Sequence, residues 1–134
     1  MSRYEQSAQA VGAVLDAIFA EHAPLLVGRV PVRFVRVPPP NWLLSRYTVP
    51  HSTQRTNLHF ELQIDPVAWV RLTTDEQENT LRHEAAHFLA YVEFLTGPSR
   101  GRGTLPGHGP IWRKWAEIVG VDTSVGVPPH EEVG

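Results

Sequence analysis

Residues 74–96 are the segment that leaves this chain least freedom. Leu81, Ala85, Phe88, Leu89, Val92 and Leu95 recur at helical spacing around much of the circumference. The pattern predicts a helix buried at the centre of the molecule rather than one lying on its surface. Thr73 or Thr74, followed three residues on by Glu76 or Gln77, is a capping-box pattern, acids occupy the first turn, and Gly97-Pro98 ends the segment. The rest of the fold has to be arranged around that helix. In its middle stand His83, Glu84 and His87.

Two histidines four residues apart lie about 40° apart around a helix axis, so both imidazoles can reach one ion. Glu84, next to the first of them, can contact a water held by the ion without filling a coordination position. A metal lowers the pKa of such a water toward ~7, and a carboxylate can then take its proton and leave a nucleophile for a polarised carbonyl. This spacing predicts a metallohydrolase centre with His83 and His87 as metal ligands and Glu84 as the catalytic base. A catalytic zinc site takes three protein ligands and keeps one position open, so a third ligand is required.

The third ligand cannot come from the same helix. In the pattern HExxHxxGxxH, Ala90 stands at the glycine and Glu93 at the last histidine, and Glu93 is turned about 120° from His87. Two candidates remain downstream. Glu117, in a short final helix, would follow the plan that takes a glutamate from a later helix. His108 sits between Gly107 and Gly109, which allow backbone and imidazole to come close to an ion, and is the stronger candidate.

Around this centre the chain reads as one α+β domain. Tyr4, Ala8, Val11, Leu15, Ile18 and Phe19 make an amphipathic first helix that stops near Pro24. Residues 30–37 are rich in β-branched side chains and run into three prolines, residues 42–49 form a second candidate strand, and residues 57–64 alternate cleanly as a third. That third strand could serve as an edge for an extended peptide or lie inside the sheet. Five glycines and two prolines make residues 97–109 a loop, and Pro110 opens a last helix over residues 111–119, with Trp112, Trp115 and Val119 on its inner face. Residues 1–120 are expected to form a single domain and residues 121–134 a loosely ordered tail.

Composition excludes several classes. The chain has no cysteine, which rules out disulfides, thiolate metal sites and thiol nucleophiles. No apolar run approaches the ~20 residues of a membrane span, and the first residues lack the pattern of an export signal, so a cytoplasmic location is expected. Net charge is −2, yet residues 23–59 hold Arg29, Arg33, Arg36, Arg46 and Arg55 with no acid, and residues 94–116 hold Arg100, Arg102, Arg113 and Lys114 with none. If these share a face, that face is positive and would suit DNA.

His83-Glu84-Ala85-Ala86-His87, a twenty-residue spacer and then Gly107-His108-Gly109-Pro110-Ile111-Trp112 resemble the SprT-like family, whose pattern is HExxH followed by a downstream His-Gly and an aromatic four residues after that histidine. Ile64-Asp65-Pro66 is similar to the strand-to-proline segment ahead of the family's active helix. The resemblance implies a zincin-like metalloprotease domain with a small antiparallel or mixed sheet. It also implies Zn2+ held by His83, His87 and His108, Glu84 as general base and acid, and a polypeptide substrate. The family includes the Spartan proteases, which degrade proteins crosslinked to DNA. Many bacterial members carry a cysteine-containing zinc ribbon that this chain lacks. The competing expectation is a non-catalytic zinc module that binds nucleic acid or a protein partner.

Overall fold

In a computed structural model, residues 3–36, 45–49, 60–98, 100, 106–122, 124 and 130–133 are described. Helix α1 (Arg3–His22) leads through a 3-10 turn (Pro24–Leu26) to β1 (Val32–Phe34). After it come β2 (Ser45–Thr48), β3 (Glu61–Ile64), α2 (Pro66–Val70), α3 (Thr74–Thr96), α4 (Pro110–Val119) and β4 (His130–Val133). The architecture is mixed α+β and mostly helical. Among the described residues no helix is long and apolar enough to cross a membrane.

Local chemistry sets the helix boundaries. The Thr73 hydroxyl accepts from the Glu76 amide at 3.1 Å while the Glu76 carboxylate accepts from the Thr73 amide at 2.9 Å, completing the capping box; such a cap is worth ~1 kcal/mol. Helix α2 is an element the sequence reading did not predict, although its signal was present. The buried Asp65 carboxylate accepts from the amides of Val67 and Ala68 at 2.9 and 3.2 Å, and Pro66 occupies the first turn, where its missing donor costs nothing.

The sheet is four-stranded and mixed, in the order β1-β3-β2-β4. β1 runs parallel to β3, β2 antiparallel to β3, and β4 parallel to β2. β3 is therefore interior, which removes the reading of that strand as a peptide-binding edge; its predicted residues 57–59 lie outside the described residues. β4 arises within the segment expected to be a loosely ordered tail. Nearer the helices, Asp122 is also fixed: the buried Asn79 side chain accepts from its amide at 2.6 Å and donates to its carbonyl at 3.1 Å.

One core joins these elements. Alternation along β3 turns Leu62 and Ile64 inward, and Ser45 and Tyr47 of β2 and Val49 just after it are buried. Phe88, fully buried on α3, meets Phe19 of α1, Tyr47 of β2 and Phe60 edge-on at 6.1, 5.7 and 6.3 Å between ring centres. These contacts hold α3 beneath the sheet with α1 along one flank. Helix α4 packs on α3, where the Lys114–Glu93 ion pair closes the seam, and a His22–Trp115 ring contact at 5.8 Å ties α4 to the end of α1.

Candidate metal centre

The face of α3 between β2 and α4 carries His83 and His87, both buried within the long helix. His108 arrives from the turn before α4. Gly107 has φ +52°, a backbone conformation that costs a side-chain-bearing residue, and Gly109 donates to the Pro106 carbonyl at 2.9 Å. A Cβ at Gly109 would lie 3.0 Å from that carbonyl oxygen. The two glycines thus fold the turn tightly enough to bring the His108 ring over α3, and Pro110 starts α4 immediately afterwards.

His83 Nε2 lies 3.2 Å from His87 Nε2 and 3.2 Å from His108 Nε2, and the ligand atoms of the three residues all fall within 4.8 Å of one another. A tetrahedron with nitrogens ~2.0–2.1 Å from its centre has an edge of about 3.3 Å, so the two separations from His83 match edges of one tetrahedral site. Three imidazoles are also the right donors for a borderline metal such as zinc, copper, iron or nickel. His83, His87 and His108 can therefore hold a metal ion.

Aromatic rings pack around these histidines. Trp112 lies 4.9, 5.5 and 4.7 Å from the ring centres of His83, His87 and His108, and its Nε1 donates to the His83 carbonyl at 3.4 Å. The sequence reading made Trp112 a core anchor of the last helix; it is half-buried and belongs to the site. On the other side the buried Tyr47 stacks on His87, with ring centres 4.3 Å apart and planes 18° apart. These contacts restrict the imidazoles to orientations in which the Nε2 atoms converge.

Glu84, 1% exposed, accepts a hydrogen bond from the Ser45 hydroxyl of β2 at 3.0 Å. β2 thus supports the motif twice, through Ser45 on Glu84 and Tyr47 on His87. Nothing in the sequence around Ser45 marks it as functional. Only the pairing of β2 beside β3 brings it over α3, 39 positions from Glu84.

Other charged residues on and after these helices sit elsewhere. Glu117 is exposed and outside the three-histidine group. Glu93 pairs with Lys114. The Asp122 carboxyl is held below the usual carboxylate range by the Ser124 hydroxyl and amide that donate to it. Arg82 is near Glu78 of its own helix at 4.0 Å. Of the arginine-rich stretches, Arg55 and Arg102 lie outside the described residues. A groove of about 530 Å³ between α1 and the start of α3, lined by Val11, Val14, Ile18, Trp69 and Leu81, opens on the opposite side of α3 from the histidines. It has no part in this centre.

Fold and site together define an α+β protein with a cluster of three histidines, two of them on a central helix, that could hold a metal ion. A family model described as the SprT-like family matches residues 44–131, well over half of the chain. The chain belongs to the SprT-like family. Comparisons with curated proteins and with solved structures gave no match.

Proposed function

We propose that this chain is a zinc-dependent metallopeptidase, a single zincin-like domain that hydrolyses peptide bonds with Glu84 as general base. The observation that carries the reading is the convergence of three imidazole Nε2 atoms one residue away from a buried carboxylate. Family membership is consistent with an enzyme of this type. Among the described residues the cluster holds three candidate ligands and no fourth, which favours an open catalytic site over a closed structural one.

Zinc, when bound, supplies a Lewis acid for the peptide carbonyl and acidifies water at the site. The chain's own residues do the rest. His83, His87 and His108 fix the position of the centre, with Tyr47 and Trp112 limiting ring rotation. Glu84, held by Ser45, takes the proton of the attacking water and returns it to the departing amine. Its burial keeps bulk water from competing for that proton.

Within this reading DNA-bound proteins are candidate substrates. Exposed Arg29, Arg100 and Arg113 offer phosphate contacts, whereas Arg33 and Arg36 are drawn to Glu61 and Asp65 at 3.6 and 3.8 Å, which reduces the charge they offer to a partner. Glu84→Gln tests the mechanism: the variant should retain one zinc per chain and lose cleavage of casein. Retained proteolysis would refute the role of Glu84. Comparing cleavage of a DNA-binding protein with and without single-stranded DNA tests the substrate class.

A further inference from the structure

The two edges of the sheet are covered differently. α1 packs on β1 at one edge. At the other, β4 pairs in parallel with β2, the strand that supports Glu84 and His87. The register is specific. Ser45, which binds Glu84, is opposite His130, and Tyr47, which stacks on His87, is opposite Glu132. An extended backbone in the β4 position therefore runs one strand spacing, about 4.8 Å, from the two β2 residues that touch the motif.

That position is also the place where an incoming backbone would find a ladder of donors and acceptors beside the metal centre, because β3 is flanked on both sides. Among the described residues four of β4 pair, and short edge strands are among the first parts of a fold to open. We propose that β4 is a resident occupant of the substrate's strand position, covering the outer edge of β2 until an extended polypeptide segment displaces it and pairs there. This rests on the peptidase reading. The substrate class that follows is unfolded polypeptide, because a folded protein has its backbone groups already paired.

The experiment uses the full chain, zinc-loaded, with casein as an unfolded substrate. Thr48 and Val133 are opposite one another in the register, and the protein has no cysteine of its own, so Thr48→Cys with Val133→Cys allows one disulfide that ties β4 to β2. Cleavage by the oxidised variant should fall at least tenfold and recover on reduction, with zinc content unchanged. A second variant, Glu131→Pro with Glu132→Pro, should cleave casein faster than the parent. Successive strand residues direct their N–H groups to opposite sides, so one of the two prolines removes a donor facing β2. In zinc-loaded Glu84→Gln protein, casein-derived peptide should replace β4 without net loss of amide protection at residues 45–48, and isotope-labelled peptide should itself become protected. Equal cleavage by oxidised and reduced cysteine variants would overturn the proposal and leave the peptidase reading standing. Casein left intact by both the parent and the proline variant would overturn the peptidase reading, and this inference with it.

Discussion

Ser45→Ala removes the hydroxyl that holds Glu84 and leaves both helix ends and the three histidines untouched. The bond is 3.0 Å long between residues 3% and 1% exposed, so water has no ready access to replace it. A hydrogen bond to a charged acceptor contributes ~1.5–3 kcal/mol net, and a buried acceptor that loses its donor bears the desolvation cost in full. Urea unfolding of the zinc-saturated protein should show that loss, equivalent to roughly 5–15 °C in melting temperature for a domain of this size. If the same interaction orients Glu84 in the transition state, kcat should fall by about 10- to 100-fold. KM should be unchanged, because Ser45 bonds Glu84, the proposed base. Ser45→Cys, of similar shape with a weaker donor, should lie between the two. A Ser45→Ala protein with stability within about 0.5 kcal/mol of the parent and an unaltered kcat would refute the reasoning.

If the three histidines hold the ion, removing one of them should do more to metal binding than any change behind them: His108→Ala is expected to weaken zinc affinity by more than about 100-fold in chelator competition, with the circular dichroism of the helices retained. Asn79→Ala leaves the Asp122 amide and carbonyl without their side-chain partner and should cost ~1–3 kcal/mol in urea unfolding, with zinc content unchanged. Burial raises the pKa of Tyr91 above its ordinary 10.0, so at high pH the folded state keeps a proton that the unfolded state releases. Stability should therefore fall as pH rises past that value, and Tyr91→Phe should flatten this part of the curve.

The elements readable from sequence are those fixed by interactions within a few residues. The capping box at Thr73, the Gly97 stop and the proline start of α4 were legible because each is closed by neighbours along the chain. The same holds for His83, Glu84 and His87, whose common face follows from helical geometry alone. His108 was reached through its glycines and the family pattern, and the turn that delivers it depends on Gly107 at positive φ.

Tertiary structure decided the rest, because strand order is set by pairings between distant segments and not by any one segment's composition. A clean alternation identified β3 as a strand but could not say that β1 and β2 would flank it. Nor could it say that β2 would bring Ser45 to Glu84 and Tyr47 to His87, or that residues 130–133 would pair along its outer edge. The sequence determined a central helix bearing two imidazoles and a carboxylate. The placement of β2 and α4 on either side of that helix decided what holds those groups and what lies beside them.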